Sequence, residues 1–260
     1  MKPIFSLLAL LTTLSSVTAQ SSTAQSSTAH DRRAEPSIVV DRAGDDVFPA
    51  RWLTPDINAH AELADEAERP RSKAIVAKAL SKYPSTIAST NLQAVYVLGG
   101  LEYRGVATGG AISRDAVYVV VGNRYSAAVV ERVFHAEFSS ILLRNDPQFF
   151  DADRWQQINP PGFQYLGSGV EAVRRKQASN RLQPALHENG FLHDYSQASI
   201  EEDFNSHAAL LFMGDPAYWE AVERYPLVRA KAELTMDFYG RLDAAFSREF
   251  FPALRGKTMP

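Results

Sequence analysis

The sequence predicts an α+β domain in which a small mixed β-sheet is followed by a mostly helical C-terminal half. Three observations lead there. The runs "LQAVYVL" (92–98) and "AVYVVV" (116–121) are rich in Val and Tyr and bounded by glycine, as strands are. From Ser126 onward apolar residues recur at helical spacing, punctuated by Pro147, Pro160-Pro161, Gly190, Gly214 and Pro226. The strands are grouped rather than alternating with helices, which excludes a run of βαβ units.

Along the chain, "MKPIFSLLALLTTLSSVTAQ" has the form of a secretory signal peptide. Lys2 supplies the charged n-region, Ile4 to Leu11 an apolar core too short to span a bilayer, and Val17-Thr18-Ala19 small residues for cleavage after Ala19. Residues 20–36 carry almost no apolar bulk and, counting from Ala19, repeat AQSST. They cannot bury enough surface to offset ordering entropy and are expected to be a disordered tether. One folded domain is expected over 37–260, with "SIVVD" as a first strand. The segment 54–84 is expected to form one or two helices, with Thr54 as a cap, Pro55 at the first helical position and a break at Pro70. "GGLEYRGVATGGAISRD", between the two strong strands, reads as an irregular edge strand with turns. Helices are expected near 126–144, 168–178, 199–213, 215–223 and 227–249.

A formal charge of −3 over 260 residues gives no electrostatic reason for a nucleic-acid or anionic-membrane partner. The absence of cysteine excludes a disulfide framework, a thiol nucleophile and a Cys-ligated metal. An exported domain without disulfides relies on its core, for which this length is sufficient.

"VVERVFHAEFSSILLRN" (129–145) places a carboxylate where the core should be. On a helix turning about 100° per residue, Val130, Val133, Phe134 and Ile141 share one arc, and Glu137 lies inside it. Such a group needs a partner or a task, because burying it alone costs several kcal/mol. A salt bridge to Arg144, on the same face two turns on, is one reason. A catalytic base is the other. His135 sits about 160–200° around the helix from Glu137, so one metal cannot readily touch both. A second acidic stretch, "GFLHDYSQASIEEDFNSHAALLF" (190–212), opens a helix with Ser199 and Glu202 spaced as a capping box. Asp203 and His207 are i,i+4 neighbours that are expected to pair. "GSG" around Ser168 lacks the G-x-S-x-G elbow of a serine hydrolase.

The pair "HAEFSSIL" and, some fifty residues later, "GFLHDYSQASIEEDF" resembles exported bacterial zinc metallopeptidases of the gluzincin type, and more distantly the lethal-factor type. There a helix carries H-E-x-x-H and a later segment supplies a glutamate ligand. "LQAVYVLGGLEYRGVATGG" and "YPLVRAKAELTMDFYGRLD" fit the same order, so the likeness spans roughly residues 90–245. It implies a zincin-like fold, with an edge strand packed on the motif helix. It implies Glu137 as general base, Glu202 as third zinc ligand, Tyr195 as a donor to the developing oxyanion, and Gly109 and Gly110 as the edge along which an extended peptide pairs. The two histidine ligand positions fall on Ala136 and Ser140, where the pattern breaks. Ala has no donor and a neutral Ser hydroxyl is a poor zinc ligand. The expectation is a peptidase-like protein, catalytically degenerate and kept as a peptide-binding or structural module, with no cofactor. The alternative is an active peptidase with zinc in a non-standard site, to which His135, His187, His193 or His207 could contribute.

Overall fold

A computed structural model describes residues 39–122 and 125–256. The signal peptide and tether expected over 1–36 lie outside them. In chain order the elements are β1 (Val39–Val40), β2 (His60–Leu63), α1 (Arg69–Leu80), α2 (Ser85–Asn91), β3 (Ala94–Tyr103), β4 (Val106–Ala107), β5 (Gly110–Ile112), β6 (Ala116–Val120), α3 (Ala127–Asn145), α4 (Ala152–Ile158), α5 (Gly169–Arg174), α6 (Pro184–His187), α7 (Ile200–Met213), α8 (Pro216–Arg224), α9 (Pro226–Leu242) and α10 (Phe250–Leu254). The α+β class stands: one mixed sheet, then a helical half.

β3 is the hub of the sheet. It pairs parallel with β1 and β6 and antiparallel with β2 and β4, while β5 runs antiparallel to β6 and forms one edge. Alternation sorts side chains to two faces. Val95, Val97, Val117 and Val119 meet the helices, whereas Ala94, Leu98, Ala116, Tyr118 and Val120 meet a smaller aromatic layer around Phe48 and Trp52. Covering both faces explains why these strands read as continuous apolar runs. Tyr118 stacks on Tyr96 and donates its hydroxyl to the Val47 carbonyl at 2.6 Å, so its burial in that layer leaves no polar atom stranded.

The helical half packs on α3 and α7, which lie against one another. Ser126 caps α3 by accepting from the Val129 amide, and Ser199 caps α7 by accepting from the Glu202 amide. α7 stops at Gly214, whose positive φ of 60° and close approach to the Leu254 carbonyl leave no room for a side chain. Phe138, Phe212, Tyr239, Phe246 and Phe251 fill the space beneath these helices.

The expectation for 54–84 is corrected. His60–Leu63 is a strand, its register against β3 shifting between Glu62 and Leu63, and α1 begins at Arg69. Pro70 does not break a helix. It occupies the first turn, where its missing N–H has no intrahelical partner to lose. Thr54 caps nothing and instead donates to the Arg51 carbonyl. The strand was disguised because "HAEL" carries few β-formers, and its place comes from Ala61 packing in the aromatic layer. Helices α5 and α9 also end earlier than expected, at Arg174 and Leu242.

Candidate functional site: a carboxylate cleft beneath an edge strand

Four elements enclose one cleft. From α3, Val133, Ala136, Glu137 and Ser140 line it on successive turns. α7 contributes Glu202 and Asn205, the short turn before α7 contributes Tyr195, and α5 contributes Gly169 and Val173. Thr108, Gly109 and Gly110 run along the rim. The space divides into two recesses of about 210 and 230 Å³ that share Glu137, Tyr195 and Glu202. The two distant segments singled out in the sequence therefore meet.

Two glycines set the closeness of the walls. A Cβ on Gly110 would sit 2.7 Å from Glu137 Oε1 and 2.7 Å from Val133 Cγ1, so only a residue without a side chain lets β5 lie directly over α3. A Cβ on Gly169 would strike the Tyr195 hydroxyl and approach Glu202 Oε1 to 2.7 Å. Ser168, before it, caps α5 by accepting from the Glu171 amide.

The backbone of β5 is also disposed for a partner. Gly109 and Val120 share a ladder bond, as do Ser113 and Ala116. In an antiparallel pair such residues alternate, so Gly110 and Ile112 turn their amide groups away from β6, toward the open edge. The Gly110 carbonyl accepts from the Thr108 hydroxyl at 2.9 Å.

Electrostatically the cleft is acidic. No hydrogen bond or ion pair reaches the Glu137 carboxylate from the described residues. The expected salt bridge to Arg144 is not made: Arg144 reaches across to Glu201, Nη2 to Oε1 at 2.8 Å. Burial, then the charges of Glu202 and Glu201, hold the Glu137 carboxyl well above the ordinary range, opposed by the more distant Arg144. Burial likewise pushes Glu202 up to about 7, while the Tyr195 hydroxyl, donating to Glu202 Oε1 at 3.0 Å, pulls it down. Glu202 therefore faces the cleft and Tyr195. Tyr195 itself is held far above the ordinary phenol range by burial and by both glutamates, and so remains a donor.

The expected pairing of Asp203 with His207 is also corrected. Asp203 turns to the core and binds Lys231, and His207 Nδ1 meets the Tyr218 hydroxyl at 3.0 Å. His135 lies on the buried back of α3 with Nδ1 2.9 Å from the Tyr83 hydroxyl, and His187 Nε2 lies 3.2 Å from the Leu192 carbonyl. Of these imidazoles only His193 lines the cleft. Its Nδ1 accepts from the Ser196 amide, which assigns the proton to Nε2, and burial lowers its pKa to about 3, so it is neutral.

The donor set does not fit a catalytic zinc, which takes three protein ligands and an open position. Ala136 offers nothing. The Ser140 hydroxyl accepts from Asn205 Nδ2 at 2.6 Å, which leaves Glu202 as the one ligand-type group among the three positions. Among the described residues no three His, Cys, Asp or Glu side chains converge to hold a metal ion. Asn205, Gly169 and Val173 escaped the sequence reading. Asn205 alone carried a signal, standing three residues after Glu202 and thus on the same helix face.

Among the described residues no helix is long and apolar enough to cross a membrane. No family model and no curated protein matches the chain. One solved structure resembles it, described as "a putative zinc-binding metallo-peptidase" from Bacteroides caccae. Its TM-score is 0.44 at 13% identity, over 70% of this chain and 75% of that one.

Proposed function

We propose that this chain is an exported peptide-binding module on a metallopeptidase-like frame, one in which zinc-dependent hydrolysis has been lost. The observation that carries the reading is the cleft itself. Glu137, Tyr195 and Glu202 line it together beneath the edge strand β5, while the flanking positions on α3 are Ala136 and a Ser140 already bonded to Asn205. An extended peptide pairs with an edge through backbone groups and needs no metal to do so. Without zinc to acidify a water, Glu137 as base faces an uphill proton transfer. Tyr195 and Glu202 are then retained as cleft wall, and the leader over 1–19 accounts for export.

Metal content, peptide binding and a restored histidine pair test this. Elemental analysis after mild dialysis is expected to find no stoichiometric zinc, and one tightly held zinc per chain overturns the reading. Capped extended peptides are expected to bind and to remain uncleaved. Backbone N-methylation of the paired residues is expected to abolish binding. The double substitution Ala136→His with Ser140→His is expected to create zinc affinity, since both side chains stand one turn apart on α3. If it creates none, the helix register on which the ancestry rests is wrong.

A further inference from the structure

The cleft holds more acceptors than donors. Glu137 and Glu202 both line its shared centre, and no cation of the described chain sits between them. The nearby guanidinium groups are committed elsewhere: Arg144 to Glu201, and Arg132, which lines one recess, to the Asn180 carbonyl at 3.2 Å. Asn205 is an independent sign. It is only 3% exposed and lines the same wall, yet while its Nδ2 donates to Ser140, its Oδ1 has no partner. A buried acceptor without a donor is costly, and so are two neighbouring carboxylates. The remaining polar groups facing them do not resolve this. The Tyr195 hydroxyl and the Asn205 amide serve Glu202 and not Glu137, the Arg144 charge acts on both carboxyls from its pair with Glu201, Glu201 adds negative charge, and His193 is neutral.

The geometry points to a positively charged side chain of the bound peptide as the missing partner. We propose that a lysine or arginine of an extended peptide enters the cleft beside Gly110, its charged head received by Glu137 and Glu202. This rests on the peptide-binding reading above and adds its specificity. Alternate side chains of a peptide laid along β5 project toward α3, on the face that Gly110 leaves bare. A lysine stem would pass between Val133 and Val173, and its ammonium brings three donors and no acceptor to a wall of the opposite character.

The test is calorimetric titration of the mature chain at pH 7.5 with N-acetylated, C-amidated pentapeptides. They are alanine throughout except for a central lysine, norleucine, glutamine or glutamate. Lysine is expected to bind about tenfold or more tighter than norleucine, as hydrogen bonds to charged groups allow. Glutamate is expected to bind weakest. Lysine binding should also release protons, seen as a dependence of the heat on buffer ionisation enthalpy, since a cation displaces protons held by the carboxyl pair. Glu137→Gln and Glu202→Gln should each shrink the lysine preference, and neither change adds buried charge that would unfold the chain. Equal affinity of the lysine and norleucine peptides overturns the inference while leaving peptide binding intact. Failure of all four peptides to bind overturns both.

Discussion

Glu202 and Asp203 are consecutive residues of α7 and meet opposite fates. Asp203 points into the core, where Oδ2 receives Lys231 Nζ at 2.6 Å, the Tyr165 hydroxyl at 2.8 Å and Trp155 Nε1 at 3.0 Å. Burial raises its pKa, and the Lys231 ammonium opposes the rise. Glu202 points into the cleft, where a phenol is its donor and other carboxylates are its neighbours. Serines 139 and 140 of α3 divide the same way: Ser139 bonds Tyr239 in the core, and Ser140 bonds Asn205 on the cleft wall. One side of the α3–α7 pair has its charge met by a counterion from within the chain, although Asp203 Oδ1 and His207 Nε2 there make no bond, and the other leaves its carboxylates facing a space without a cation. A buried charge that is answered is architecture. One left unanswered points to something from outside.

The largest effect should come from breaking the answered side. Lys231→Met keeps the volume but strands the Asp203 carboxylate, and breaking such a buried pair costs about 3–5 kcal/mol. Urea unfolding at pH 7 should show that loss, and a loss under 1 kcal/mol would mean that water or another cation reaches Asp203, erasing the contrast. The charged pair can also be removed as a unit. Lys231→Met with Asp203→Asn should recover part of the stability, because the carboxylate no longer needs its counterion.

On the unanswered side a substitution should stabilise. The folded-state pKa of Glu202, about 7, stands above its ordinary 4.5, so the native chain binds a proton more tightly than the unfolded one. The stability this confers is fully present below about pH 4.5 and is lost as pH rises toward 7. Glu202→Gln cannot lose it. The variant should match the parent at pH 4 and exceed it by about 3 kcal/mol at pH 8. Comparing variant with parent at each pH cancels the carboxylates that respond oppositely, such as Asp41, whose pKa is lowered first by its bond to Lys73. A pH-independent difference would place Glu202 in a solvated site and deny the cleft its acidity.

How much of this was legible in the residues follows the same division. The oddity of Glu137 was visible because a carboxylate interrupts an apolar arc, and periodicity alone exposes that. The strands 94–103 and 116–120 were visible because burial on both faces demands continuous apolar runs. The partners were not. Arg144 had two acidic candidates, and helix spacing favoured Glu137 over Glu201, which lies on another helix. Asp203 had His207 one turn away, but took Lys231 from α9, a contact of long sequence separation that no local pattern encodes. Strand 60–63 was missed for the same reason, since four weak β-formers owe their conformation to β3.

The smallest effect is the sharpest probe of the division, because it compares two neighbouring residues of one type. Ser139 donates to the His135 carbonyl at 2.5 Å and lies 2.8 Å from the fully buried Tyr239 hydroxyl. Ser139→Ala removes that partner from a phenol with no route to water, and should cost about 1–2 kcal/mol. Ser140→Ala strands Asn205 Nδ2, yet Ser140 lines an open recess where water can stand in for the lost hydroxyl, so the cost should be about 0.5 kcal/mol. The Asn205 amide already helps to lower the Glu202 pKa, and freed from Ser140 it can turn fully toward that carboxylate and lower it further by donating to its charged form. Ser140→Ala should therefore narrow the gap between parent and Glu202→Gln at pH 8, and Ser139→Ala should leave that gap unchanged. If both serine variants lose equal stability and neither alters the pH response, the two faces of α3 are the same environment, and the reading of the cleft as a space kept for a ligand loses its physical basis.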